Sequence, residues 1–143
     1  MSSRTAAAGE DDGKVAFELA TPEALLVSRR ADMVVVPGAE GDFGVLPGHA
    51  PFISTVRAGV IDVYDGDKID QRIFVADGFA EVNTKGCTVL SGEAYPLDDL
   101  DKGDVEERRR DGEEQLANAD SDDERATAEA EIALCDAMLV ALE

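Results

Sequence analysis

Apolar and polar positions alternate in short runs from Lys14 to about Ala94, and beyond Pro96 the period lengthens. Val15, Phe17 and Leu19 alternate with Ala16, Glu18 and Ala20, the two-residue period of a half-buried strand. Thr21-Pro22 interrupts this run, which resumes around Leu25, Leu26 and Val27. Val34-Val35-Val36 leads into a turn signal at Pro37-Gly38. Val60, Ile61 and Val63 form the next run, Asp65-Gly66 marks a hairpin, and Ile69, Ile73, Phe74 and Val75 make the return strand. Asp77-Gly78 and Lys85-Gly86 precede two further runs, residues 79–82 and 87–90. Short strands with turns at short intervals predict an all-β sandwich or barrel. No helix-length pattern separates them, which argues against parallel βαβ units.

After Pro96, β-branched residues thin out and Ala, Glu, Asp and Arg take over. Residues 97 to about 117 predict a helix with a thin apolar stripe: Leu97, Leu100, Val105 and Leu116. Gly112 inside it costs roughly 1 kcal/mol relative to Ala. Residues 118–123 form a polar break, with Asp122 or Asp123 as the N-cap of a second helix. Its stripe is Ala128, Ile132, Cys135, Leu139 and Leu142. Two helices joined this way make an antiparallel hairpin, and stripes this thin bury little, so the hairpin is expected to dock conditionally. The chain thus divides into a loose tail (residues 1–13), a β domain (14–94) and a helical hairpin (95–143).

Composition narrows the function. The 143 residues carry 32 acidic and 13 basic side chains, a formal net charge of -19. Such a surface repels nucleic-acid phosphates and anionic lipid headgroups, while a basic protein partner is compatible with it. No apolar run approaches the roughly 20 residues of a membrane span. The first 13 residues are small, polar and acidic, with no apolar h-region, so they do not read as a secretory signal. Without Trp and with only 5% aromatics, the core must come from Val, Ile, Leu and Ala. Cys87 and Cys135 are too few for a disulfide framework and read as small core residues.

Candidate chemistry is sparse. His49 is the single histidine, which excludes multi-His metal sites. In its Pro47-Gly48-His49-Ala50-Pro51 setting it reads as a loop residue bonded to backbone, with a general base as the alternative. Asp62, Asp65, Asp67 and Asp70 cluster around Gly66 but lack the ligand order and terminal Glu of a calcium loop, so they read as a solvated hairpin. Gly38, Gly41 and Gly44 are not followed by Lys-Ser/Thr, so they form no P-loop. Arg108-Arg109-Arg110 is expected to pair with Glu106, Glu107, Glu113 and Glu114 on its own helix, with a single anion contact as the sharper alternative. Catalytic residues, metal and cofactor are all expected to be absent.

One stretch is specific. Val34-Val35-Val36-Pro37-Gly38-Ala39-Glu40-Gly41-Asp42-Phe43-Gly44-Val45-Leu46-Pro47-Gly48-His49-Ala50-Pro51 closely resembles the signature of the ATP synthase epsilon subunit family, whose mitochondrial equivalent is called delta. The later Val75-Ala76-Asp77-Gly78-Phe79-Ala80-Glu81-Val82 run and the helical hairpin agree, and the resemblance covers residues 14–143. It implies a flattened antiparallel β-sandwich followed by a C-terminal helical hairpin. It also implies a non-catalytic central-stalk subunit of the proton-translocating F-type ATP synthase. Such a subunit couples rotation of the membrane ring to the catalytic head through the gamma subunit. The ring-facing turn carries over to Glu40, Gly41 and Asp42, whose carboxylates can accept hydrogen bonds from polar ring loops. The loop Pro47, Gly48, His49, Ala50 and Pro51 is then structural. Partners implied are the gamma subunit, the c-subunit ring and, through the hairpin, the alpha and beta subunits, with no direct membrane insertion.

In the family the hairpin can also inhibit hydrolysis or bind ATP through Ile/Leu-Asp-x-x-Arg-Ala. Here the stretch reads Leu100-Asp101-Lys102-Gly103-Asp104-Val105, with Asp104 in the arginine's place and Val105 in the alanine's. An aspartate there repels phosphate. ATP binding is therefore expected to be lost or very weak, and few basic residues remain in the hairpin to support strong inhibition. The acidic N-terminal tail is unlike a transit peptide, which favours the cytoplasmic face of a bacterial inner membrane. A free-standing acidic β-sandwich adaptor stands as the alternative, and a small hydrolase using His49 as a third reading.

Overall fold

The computed structural model describes residues 13–143, so most of the predicted tail lies outside the described residues. The chain divides after Ala94 into a β unit and a helical unit. The strands are β1 (Val15–Ala20), β2 (Leu25–Ala31), β3 (Met33–Gly38), β4 (Gly41–Val45), β5 (Phe52–Val56), β6 (Gly59–Asp65), β7 (Lys68–Val75), β8 (Gly78–Val82), β9 (Gly86–Leu90) and β10 (Ala94–Pro96). They form one curled sandwich in the order β10-β7-β6-β3-β5-β8-β9-β1-β2, with β4 paired to β3.

The two-residue period sorts the side chains. Val15, Phe17 and Leu19 point into the core with Val34, Val36, Val45, Ile61, Val63, Ile73, Val75, Ala80, Val82, Cys87 and Val89. Burying each Val, Leu, Ile or Phe contributes about 1.5–3 kcal/mol, so an aliphatic core of this extent compensates for the scarcity of aromatics. Both cysteines are buried and free. Burial raises the Cys87 thiol to about 12.

Several elements depart from the sequence reading. β5 and β10 carry no clean alternation; Phe52, Ile53 and Thr55 of β5 are all exposed. One pair is parallel rather than antiparallel: β1 lies along β9 from Ala16↔Gly86 to Ala20↔Leu90 without any βαβ unit. Here the chain returns through the other strands of the sandwich instead of through a helix.

The helical unit opens with a short 3-10 turn (Leu97–Asp99), followed by α1 (Lys102–Ala117) and α2 (Asp122–Ala141). The first helix therefore starts at Lys102 and not at Leu97. Asp101 takes the N-cap position and accepts a hydrogen bond from Asp104 N at 3.1 Å. The second N-cap is Ser121 rather than Asp122 or Asp123: its Oγ accepts from Glu124 N at 3.1 Å, while the Glu124 carboxylate accepts from Asp120 N at 2.7 Å. That reciprocal arrangement is close to a capping box and leaves Asp122 and Asp123 in the first turn, where the helix dipole favours acids.

Val105 and Gly112 of α1 and Ala128, Cys135 and Met138 of α2 are buried. Gly112 does more than weaken its helix. A Cβ there would lie 3.1 Å from Ile132 Cγ1, so the missing side chain lets the helices approach closely. Arg108 and Arg109 reach across the hairpin instead of pairing only along their own helix. Arg108 binds Glu131, and Arg109 binds Asp136 at 2.6 Å as well as Glu113 at 2.7 Å.

Candidate functional site

The signature stretch folds as the β3–β4 hairpin and the loop after it. The two strands pair from Val34↔Val45 to Gly38↔Gly41, which leaves Ala39 and Glu40 as the turn. Gly41 has φ of 135°, a conformation that favours a residue without Cβ. Glu40, Gly41 and Asp42 are all exposed.

The turn is pinned from behind by the β5 end. Ala39 N donates to Thr55 O at 2.8 Å, and Arg57 N donates to Pro37 O at 2.9 Å. The Arg57 guanidinium then spans the turn: Nη1 donates to Gly38 O at 2.5 Å and Nη2 donates to Asp42 Oδ1 at 2.6 Å. Asp42 is therefore held by an internal cation, while Glu40 projects at the tip. Sequence reasoning missed Arg57. Its signal was a basic residue at a strand end in a chain dominated by carboxylates.

The Pro47-Gly48-His49-Ala50-Pro51 segment closes on itself. His49 N donates to Leu46 O at 3.2 Å, and the ring Nδ1–H donates to Ala50 O at 2.7 Å. The ring sits 6.3 Å from Phe52, which meets Phe43 edge-on at 5.2 Å. The three rings form a small aromatic cluster on the β4–β5 side of the signature stretch.

Around the β6–β7 hairpin the aspartates have other partners. Asp62 accepts from Arg72 at 2.9 Å and Asp70 from Arg29 at 2.6 Å. Asp32 accepts from Gly66 N, with Lys14 at 3.3 Å, and these two hold its carboxyl below the usual range. Among the described residues no group of three or more potential ligands is placed to hold a metal.

At the start of α1, Leu100, Asp101, Asp104 and Val105 serve the helix itself. Asp101 caps it, exposed Asp104 sits in its first turn and Val105 is buried. A cleft of about 210 Å³ lies here, lined by Asp99, Asp101, Asp104 and Arg108 among others. It is smaller than the ~300–1,000 Å³ of ordinary ligand pockets. Three carboxylates face it, and Arg108 is bonded to Glu131.

A β-sandwich with a built acidic turn, followed by a helical hairpin, is the class of two-part chain these observations define. The family described as "ATP synthase, Delta/Epsilon chain, beta-sandwich domain" matches residues 14–97. The ATP synthase epsilon chain of Paramagnetospirillum magneticum is 50% identical over 129 residues, 90% of this chain and 97% of the relative. That of Rhodospirillum centenum is 52% identical over 131 residues, 88% and 90% of the two chains. A chain of the Euglena gracilis mitochondrial ATP synthase (OSCP/F1/c-ring) shares the fold with a TM-score of 0.78 at 19% identity, covering 94% of this chain and 85% of that one. A chain of the Tetrahymena thermophila mitochondrial ATP synthase central stalk and c-ring does so at 0.62 and 9% identity, covering 91% and 97%. The chain belongs to the ATP synthase delta/epsilon family, as an epsilon-type, non-catalytic subunit of the F-type enzyme. No helix among the described residues is long and apolar enough to cross a membrane.

Proposed function

We propose that this subunit couples rotation of the membrane ring to the catalytic head, with the Glu40-Gly41-Asp42 turn meeting the polar loops of the c-ring and another surface of the β unit held by the gamma subunit. The observation that carries this is the Arg57 clamp on the turn. A turn fixed at both strands presents the Glu40 carboxylate at a set position, and charge-assisted hydrogen bonds to Arg, Gln or Asn of a ring loop gain from that preorganisation. The bacterial relatives support a peripheral position on the cytoplasmic face of the inner membrane.

The helical hairpin acts as a packing element with a weakened regulatory role. Carboxylates at Asp99, Asp101 and Asp104 disfavour a nucleotide triphosphate at the α1 start. The cross-helix arginine pairs favour a closed hairpin.

The test is Glu40→Lys in the assembled enzyme, comparing ATP-driven proton pumping with ATP hydrolysis. Pumping is expected to fall several-fold while hydrolysis persists. A variant that pumps and assembles like the parent refutes the ring-facing assignment.

A further inference from the structure

The main chain of the acidic turn is held without help from any side chain. β3 and β4 pair up to Gly38↔Gly41, Ala39 N donates to Thr55 O at 2.8 Å, and Arg57 N donates to Pro37 O at 2.9 Å. The Arg57 guanidinium nevertheless lies along the turn, with Nη1 on Gly38 O and Nη2 on Asp42 Oδ1 at 2.6 Å. Both partners of the ion pair are open to water, Arg57 at 46% and Asp42 at 61% exposure. A pair this exposed contributes little to stability, because water and salt screen it. In residues 31–67 Arg57 is the only Lys or Arg, and the acid it meets is the one in the turn.

What the guanidinium changes is the carboxylate. A free aspartate side chain turns about two bonds, whereas Asp42 has one oxygen held and its Oδ2 left without a partner among the described residues. Glu40 at the tip has no comparable hold among those residues. A carboxylate already in place gives up less freedom when a donor arrives, so the same hydrogen bond yields a tighter contact. The cation also offsets one of the two negative charges of the turn, which reduces the repulsion between Glu40 and Asp42.

We infer that Arg57 is a positioning residue for the ring contact: acting through Asp42, it sets the remaining Asp42 oxygen as a fixed acceptor beside the unheld Glu40 carboxylate. Arg, Gln or Asn of a c-ring loop then meets one acceptor ordered in advance and one that adjusts. The inference rests on the reading that this turn faces the ring, and it adds the residue that sets the geometry of the contact. The planar guanidinium suits the task, since its fork serves a carbonyl and a carboxylate at once, which a lysine ammonium on a flexible stem does less well.

The test titrates the full chain into membranes whose ATP synthase has been stripped of it, and reads the concentration that restores half of the ATP-driven proton pumping. Arg57→Gln is expected to raise that concentration about three- to tenfold, the equivalent of ordering one side chain on binding. Its urea midpoint is expected to stay with the parent. Arg57→Lys should fall between the two. Asp42→Ala should weaken reconstitution as well, and adding Arg57→Gln to it should cost nothing more, because a residue that acts through another has no effect once that other is gone. Parental half-restoration with Arg57→Gln overturns the inference. So does a further equal loss on top of Asp42→Ala, which would have Arg57 touching the ring itself. A urea midpoint that falls in step with reconstitution overturns it too, since Arg57 would then be a brace of the fold. Glu40→Lys separates the two readings. If it restores pumping at the parental concentration, the ring-facing assignment falls and this inference with it; if it does not while Arg57→Gln does, the positioning role alone is lost.

Discussion

Replacing Gly78 with alanine places a Cβ 2.0 Å from the carbonyl oxygen of Leu90 and 3.0 Å from its carbonyl carbon, on a residue whose φ is 131°. Two costs add. Holding a non-glycine residue in that conformation costs about 1–3 kcal/mol. Relieving an overlap with main chain, which cannot swing aside like a side-chain tip, forces β8 from β9 and adds about 1–3 kcal/mol. The reduced freedom of the unfolded chain offsets about 0.4–1 kcal/mol. The net loss is about 1–6 kcal/mol, which at its upper end rivals the roughly 5–15 kcal/mol that stabilises an ordinary domain. Gly66→Ala is the control: its φ is 67° and no atom lies within 4 Å of the new Cβ, so it carries conformational strain alone. Urea titration followed by two-dimensional NMR reads the strand amides separately from the helical ones. Gly78→Ala is expected to unfold the β unit at markedly lower urea than Gly66→Ala. Equal midpoints for the two variants would refute the reasoning, because the close approach to Leu90 would then contribute nothing.

Three further outcomes follow from the same geometry. The Cys87 thiol is raised to about 12 by burial, whereas an unfolded thiol ionises near 8.5–9; the unfolded chain then binds fewer protons, so stability falls as pH rises from about 9 toward 12, by up to ~1.4 kcal/mol per unit. Urea titrations between those limits should show a slope that Cys87→Ala flattens. Asp101→Ala removes the α1 cap and costs about 1 kcal/mol, read as faster hydrogen exchange at residues 102–105, while Asp101→Asn retains protection. Calorimetric titration with ATP should give no heat with the parent, and measurable binding in the Asp104→Arg, Val105→Ala variant would trace the loss to those two positions.

Legibility followed the range of the interaction. Strands with clean alternation, such as Val15-Phe17-Leu19, were visible because burial on one face is a local demand. β5 was hidden because its apolar Phe52 and Ile53 are both exposed and only Val56 is buried, so the alternation that signals a core-facing strand is missing. The parallel β1–β9 pair joins residues about 70 apart, and no local feature records it. The same limit explains Arg57, whose bond to Asp42 spans 15 residues, and Arg108 and Arg109, whose partners lie 23 and 27 residues on. Local chemistry also misled at Ser121: two aspartates are better-known caps in an acidic run, but the serine with Glu124 three residues later satisfies the backbone reciprocally. Met138 was passed over in favour of Leu139, and a one-residue rotation of the stripe is enough to bury it. The acidic turn was legible because its residue order is long and specific, although the cation that holds it was not.

The position of β1 between β9 and β2 has a consequence for synthesis. β1, the first strand among the described residues, can form its hairpin with β2 as soon as both leave the ribosome, but its other edge has no partner until Leu90 has been made. At about 5–20 residues per second, that edge stays open for roughly 4–14 s. Closure of the sandwich is therefore a late event set by chain elongation, and until then the nascent β1–β2 hairpin carries an open strand edge.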